Sequence, residues 1–359
     1  MNFLFHIHSN INLLTATLVV ENTGIDKSKV VFLLNRNVST DFDVKTIELP
    51  EKVYYHQFNK LKRLLTFEFL KNKKTLSIID GIINEHVNHS FSYFCPNARY
   101  PLYRAFISNP KCVEVNYIED GMDGYLSKTE FSKKFKNPIP IHLKFADALF
   151  NILPFFCGDR LNYVGDSFMP NLKEKKSTIY CLSKTAYTNQ ENKNRIVLSS
   201  KTRGHYSDIN LNSTNIFVFD AVKNQKVVPE EIFYKFVSWF CKDYFKEKRM
   251  GIKFHPFQDA MEKERILEIF GRNKIEVEII SDDIVLEAAF LNNEKLTVFG
   301  IGSSLLVYAA LFGVEKVHVL YPFFEYNTDF KSPRLSTWND VFLERNDVYI
   351  PDKNFFMAN

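Results

Sequence analysis

Residues 299–313 read FGIGSSLLVYAALFG: an apolar run that closes on two glycines, then two serines, then an unbroken apolar stretch. The order of β-rich run, glycine turn and helical continuation predicts a strand followed at once by a helix, the repeating unit of a parallel α/β sheet. Ser303 and Ser304 would open that helix. Two hydroxyls, exposed backbone N–H groups beginning at Gly302 and the positive end of a helix dipole together make an anion site. Taken alone, a serine there serves equally well as a plain helix cap.

The same alternation runs outward in both directions. In the first half the strand candidates are FLFHI (3–7), VVFLLN (30–35), KTLSIID (74–80) and CVEVNYI (112–118). In the second half they are RIVLSS (195–200), NIFVFD (215–220), GIKFHP (251–256), VEIIS (277–281), LTVFG (296–300) and KVHVLYP (316–322). Between the halves lies a polar, turn-rich stretch suited to a linker. The expected division is therefore 1–160, a linker region at 161–192, and 193–359. At 359 residues the chain has the length for two such domains. Doubly wound sheets bind ligands at the carboxyl ends of their strands, so polar residues just after strands are the ones to weigh.

Composition narrows the classes. Apolar residues are 45% and charged residues 25%, the balance of a soluble globular protein. The opening segment MNFLFHIHSNINLLTATLVV lacks a basic start and is broken by His6, His8, Ser9, Asn10 and Asn12, so it reads as strand, loop and helix rather than a leader. No uninterrupted apolar run approaches the ~18 residues of a membrane span. Five scattered cysteines without C-x-x-C spacing indicate neither a disulfide framework nor a zinc site, and place the chain in the cytoplasm. Net charge is +4, with basic clusters at Lys133, Lys134 and Lys136 and at Lys173, Lys175 and Lys176 on either side of LKFADALFNILPFF (143–156). Such clusters suit an anionic membrane surface or an anionic substrate, while solvated lysines on a helix face are the plainer reading. Despite 35 Phe and 17 Tyr, no nucleic-acid recognition motif is present.

Three constellations follow predicted strands. Glu119-Asp120-Gly121 ends CVEVNYI: two adjacent acids point different ways, so one can bond locally while the other, less solvated, acts as a base. A solvated turn explains the same three residues. His255-Pro256 ends GIKF, where a histidine can donate to a phosphate or pass a proton near neutral pH, with Lys253 two residues earlier on the same strand face. A structural histidine is the alternative. Gly302-Ser303-Ser304 is the third. Asp41-Phe42-Asp43 has the D-x-D form used around a metal-bound nucleotide sugar, but an ordinary loop is favoured there. His86 and His89 lack a third ligand at sensible spacing. G-x-S-x-G, Walker A and G-x-G-x-x-G motifs are all missing.

Taken together and in this order, acid-acid-Gly, His-Pro and Ser-Ser form the motif set of bacterial sialyltransferases. The chain most resembles the lipooligosaccharide sialyltransferases and the capsule polysialyltransferases, over roughly residues 1–310, through EDGMDGY (119–125), KFHP (253–256) and SSLLVYAA (303–310). The resemblance implies an α/β protein of GT-B type, two Rossmann-like doubly wound domains facing a central cleft. It implies an inverting glycosyltransferase that needs no metal or other cofactor and takes sialic acid from cytidine monophosphate-sialic acid (CMP-sialic acid). The acceptor would be a hydroxyl of a bacterial lipooligosaccharide or capsule glycan, the enzyme being cytoplasmic and peripheral at the inner membrane.

By the same resemblance an acid of Glu119-Asp120 deprotonates the acceptor. His255 contacts the departing phosphate, with protonation open to it, Ser303 and Ser304 bind that phosphate, and Glu287, in DDIVLEAAF, lies near the cytidine ribose. Some lipooligosaccharide enzymes draw the base from an aspartate in the second domain upstream of His-Pro. Asp220 fills that description, which leaves the base open. A transferase for another activated acid such as Kdo, a polyol-phosphate transferase and a catalytically silent scaffold are the other readings.

Overall fold

The computed structural model describes residues 1–35, 38–49, 70–87, 89–135, 160, 168–169, 175–190, 193–199, 211–293, 295–326 and 330–357. The segment 143–156 and Lys136 and Lys173 of the basic clusters lie outside the described residues. The chain forms two compact units, Met1–Asp120 with Phe131–Ser199, and Gly121–Glu130 with Ser200–Asn359.

The first unit carries a seven-stranded sheet built from β1 (Asn2–Ile7), β2 (Val30–Leu34), β3 (Lys45–Glu48), β4 (Phe91–Cys95), β5 (Cys112–Ile118), β6 (Thr178–Cys181) and β7 (Asn194–Val197). Its order is β3-β2-β1-β4-β5-β6-β7, with every pairing parallel. The described helices are α1 (Asn10–Thr23), α2 (Leu70–His86) and α3 (Pro101–Ile107), and α4 (Lys128–Phe135) begins in the second unit and ends in the first. β2 and β4 are buried along their whole length, as befits strands covered on both faces, whereas the edge strands β3 and β7 are largely exposed. Phe5 stacks on Phe94 with ring centroids 4.1 Å apart, joining β1 to β4 in the core.

Sequence and structure part at several places here, β3 among the strands not foreseen. KTLSIID, expected as a strand, lies inside α2; the helix's buried Leu76, Ile79 and Ile83 are spaced as one helix face, a period that a seven-residue window is too short to show. FSYFC, passed over, is the central strand β4. RIVLSS, expected to open the second half, supplies edge strand β7 of the first sheet, and its partner β6 comes from the stretch expected as linker. A four-residue strand reads alike whichever sheet it joins, and only pairing decides.

The second unit carries a five-stranded parallel sheet in the order β10-β9-β8-β11-β12, from β8 (Asn215–Val218), β9 (Arg249–Lys253), β10 (Glu276–Ile279), β11 (Thr297–Gly300) and β12 (Lys316–Val319). Its helices are α5 (Glu230–Trp239), α6 (Ala260–Arg272), α7 (Leu286–Asn292), α8 (Ser304–Leu311), α9 (Phe323–Tyr326), α10 (Leu335–Phe342) and α11 (Lys353–Met357). Phe217, Phe236, Phe240 and Trp338 lie in its core, so much of the chain's aromatic content is packing. The segment after Asp120 belongs to this unit: Tyr125 meets Tyr308 of α8 edge to face, and the Ser127 N–H donates to Asp340 of α10 at 2.6 Å. Gly121 makes the turn with φ +65°, a left-handed value that favours glycine.

Both sheets thus have the all-parallel α/β build expected of a GT-B glycosyltransferase. In each, strand order reverses beside the first strand, between β1 and β4 in one and between β8 and β11 in the other. That reversal is where such folds open a crevice beyond the strand ends. Among the described residues no helix is long and apolar enough to cross a membrane.

Candidate active site

In the first unit the polar groups gather beyond β1, β4 and β5. Ser9 caps α1, its hydroxyl accepting from the Asn12 N–H at 3.4 Å, and the buried Asn12 side chain donates to the Glu119 carbonyl at 2.7 Å. The Glu119 carboxylate is itself fully buried and accepts the Leu182 N–H at 2.6 Å, tying the end of β5 to the residue after β6. Asp120, beside it, keeps 22% of its side chain exposed. One Asp120 oxygen lies 3.4 Å from His8 Nε2, and the other accepts from Asn97 at 3.5 Å. His8 Nδ1 in turn pairs with the Tyr103 hydroxyl at 2.8 Å. The two acids therefore divide as one buried brace and one partly open carboxylate. His8, Asn97 and Tyr103 were not singled out from sequence. His8 follows a strand directly, and the strand-end rule applied to β1 would have found it.

In the second unit the switch point brings Asp220, two residues past β8, against the glycine turn past β11. The Gly302 N–H donates to Asp220 Oδ2 at 3.0 Å, and the Ser303 side chain bonds the same carboxylate. The Ser303 hydroxyl also accepts the Leu305 N–H at 3.3 Å as cap of α8. The expectation that Gly302 offers its N–H to a ligand is thus corrected: Asp220 already takes it. Gly302 is required for another reason, since a Cβ there would lie 2.2 Å from Nε1 of the buried Trp338. Burial pushes the Asp220 carboxyl up to about 6, against the opposing pull of the Gly302 N–H, the Arg334 charge and Ser303.

Lys253, His255 and Pro256 leave β9, the neighbour of β8. The Lys253 ammonium donates to the Ser281 and Ile284 carbonyls and lies 3.8 Å from Asp282, so it organises the turn that leads to Glu287. Burial lowers its pKa, opposed by Asp282 and Glu287. Glu287 stands in the first turn of α7, 8% exposed, and burial raises its carboxyl pKa. Burial, then the charge of Arg334, hold the His255 imidazole below its usual value, with Glu262 acting the other way. Pro256 is exposed.

Arg334 is a further functional candidate that sequence reasoning missed. Its guanidinium acts electrostatically on both Asp220 and His255, and its Nη2 donates to Gln225 in the loop after β8. No motif marks it, because it sits in a turn that precedes α10 rather than after a strand. With Lys253, His255, Arg334 and the half-buried serines at the start of α8, this end of the sheet is suited to an anion; the first unit's end, with Asp120, is suited to taking a proton.

The model of the family described as alpha-2,8-polysialyltransferase (POLYST) matches residues 4–321. The chain belongs to that family. Membership in the alpha-2,8-polysialyltransferase family makes it a glycosyltransferase of the sialyl-transfer class. No curated protein matches it in sequence. Among solved structures, MnaA of Staphylococcus aureus with UDP has a TM-score of 0.54 at 12% identity, covering 100% of this chain and 87% of that one. The GT-B domain of a sialyltransferase from Photobacterium damselae gives 0.48 at 15% identity, covering 98% and 100%. WaaG, a glycosyltransferase involved in lipopolysaccharide biosynthesis, gives 0.43 at 9%, covering 99% and 92%. At such identities the likeness to MnaA concerns fold alone.

Proposed function

We propose that this family member transfers sialic acid from CMP-sialic acid, with inversion and without a metal, to a hydroxyl of a bacterial surface glycan. The acceptor is a galactose-ended lipooligosaccharide or capsule chain, or one already sialylated, met at the cytoplasmic face of the inner membrane. The observation that carries this reading is the convergence of Arg334, His255 and the capped start of α8 on the switch point of the second sheet, where a nucleotide phosphate belongs. Charge builds on the phosphate as the glycosidic bond loosens, so fixed donors there act on the transition state rather than on bound substrate alone. Ser304 contributes its hydroxyl, Ser303 holds the turn through Asp220 and the Leu305 N–H, Lys253 holds the loop that presents Glu287, and Glu287 faces the ribose.

Asp120 is the proposed base. Its hydrogen-bond contacts are long and made by side chains, leaving lone pairs for an acceptor hydroxyl, whereas Glu119 is consumed by the Leu182 N–H. Asp220 is the second reading, because a carboxyl raised to about 6 is matched to proton transfer near neutral pH.

Cytidine monophosphate should raise the melting temperature in proportion to RT ln(1 + [L]/Kd), about 2.7 kcal/mol at a hundredfold excess over Kd. Arg334→Ala should shrink that shift. Stabilisation by other nucleotides and not by cytidine monophosphate would refute the donor. Incubation with CMP-sialic acid and a panel of galactosides and sialosides, with and without chelator, then tests transfer, linkage and metal independence.

A further inference from the structure

The loop after β9 fixes where the His255 ring lies and also which of its nitrogens carries the proton. The His255 backbone N–H donates to Gln258 Oε1 at 2.8 Å, and Gln258 Nε2 donates to Glu262 Oε1 at 2.7 Å. Glu262 Oε2 lies 3.3 Å from the Lys223 ammonium. Gln258 and Glu262 are 4% and 0% exposed, so this is a buried clamp whose one negative charge is matched by Lys223. Beyond the clamp, the backbone N–H of Phe257 donates to His255 Nδ1 at 3.1 Å.

An amide N–H can only donate, so Nδ1 must be the bare nitrogen and the neutral ring carries its proton on Nε2. Charging the ring would place a second proton on Nδ1, directly against the Phe257 N–H. The charged groups that act on the ring do not reverse this preference: Arg334 opposes a positive imidazole, and Glu262, which favours one, is already paired with Lys223.

The chemistry of the proposed transfer agrees. The bond between the anomeric carbon and the phosphate oxygen breaks with its electron pair going to the phosphate. The acceptor oxygen forms the new bond, and its proton passes to the carboxylate base. A phosphate monoester has a second pKa of about 6, so it departs as a dianion at neutral pH and needs hydrogen-bond donors rather than a proton.

We propose, resting on the sialyl-transfer reading above, that His255 serves the departing phosphate as a neutral imidazole donating from Nε2–H and does not protonate it, with Gln258, Glu262 and the Phe257 N–H as its positioning groups. A neutral histidine used in this way acts as an electrophile, fixed in tautomer by its surroundings.

Histidine-¹⁵N-labelled protein saturated with cytidine monophosphate at neutral pH tests this directly, His255 being assigned by the signal that vanishes in His255→Ala. Two-bond correlations should show a neutral ring protonated at Nε2. An imidazolium, or a ring protonated at Nδ1, would overturn the proposal while leaving the donor-site reading intact. A His255 signal indifferent to the nucleotide would overturn both.

Kinetics supply the second arm. His255→Gln, which keeps a neutral donor near the Nε2 position, should lose about tenfold in kcat, and His255→Ala on the order of 10²–10³-fold. Equal losses, with wild-type kcat falling as pH rises through the histidine range, would mean proton delivery. Gln258→Leu should mix the two neutral tautomers in the spectrum and lower kcat while the nucleotide-induced thermal shift persists; an unmixed spectrum would remove Gln258 from its positioning role.

Discussion

Asp120 and Asp220 each stand two residues beyond a parallel strand, β5 in one unit and β8 in the other, yet their surroundings differ in kind. Asp120 is met by side chains, His8 at 3.4 Å and Asn97 at 3.5 Å, and among the described residues no lysine or arginine pairs with it. Asp220 is bound into the backbone, accepting the Gly302 N–H at 3.0 Å, with Ser303 and the charge of Arg334 beside it. A carboxylate held loosely by side chains retains lone pairs for a substrate proton. One that satisfies a buried turn is part of the architecture, and its ionisation is coupled to the stability of that turn.

Neutralising each acid in turn separates the two roles. Asp120→Asn should reduce kcat on the order of 10²–10⁴-fold while leaving nucleotide-induced stabilisation unchanged. Should Asp220→Asn produce the large loss and Asp120→Asn a small one, the two roles are reversed. Next in size, Gly302→Ala places a methyl group against Trp338 and should cost about 1–3 kcal/mol of stability, read by urea unfolding, and should weaken nucleotide binding through the displaced turn.

The smallest expected effect concerns Asp220 and pH. Its folded-state pKa, raised to about 6, lies above the ordinary value near 3.9, so the unfolded chain ionises first as pH rises. Its stabilising contribution is therefore complete below about pH 4 and is lost progressively up to about pH 6. Asp220→Asn, which still accepts the Gly302 N–H, should be more stable than wild type by about 1–2 kcal/mol at neutral pH, with the gain vanishing in acid. A gain that persists unchanged at low pH would show that burial of the Asp220 charge is not its cause.

The residues worth testing were legible because a parallel α/β sheet confines ligand chemistry to strand ends. VEVNYI, NIFVFD, GIKFHP and FGIGSS announce those ends by an apolar run that stops at a polar group or glycine. What stayed hidden are relations across distance in the chain. Gly302 and Asp220 are hydrogen-bonded partners 82 positions apart, and the Glu119 carboxylate finds its donor 63 positions on. Arg334 escaped notice because turns before helices carry no periodic signature, and KTLSIID misled because seven residues cannot separate a strand from one face of a longer helix.

Periodicity and strand-end chemistry are local properties of the chain, and they sufficed for the parallel α/β class and for picking out the three motifs. Through the resemblance those motifs carry, the sequence also pointed to the family. Contacts between distant parts of the folded chain make Glu119 a brace while Asp120 stays partly open, give the Gly302 N–H to Asp220, and put residues 194–197 in the first sheet. Those outcomes depend on which buried polar group finds which partner, and a buried donor or acceptor must be satisfied by whatever the fold brings within reach, however far away it lies in sequence.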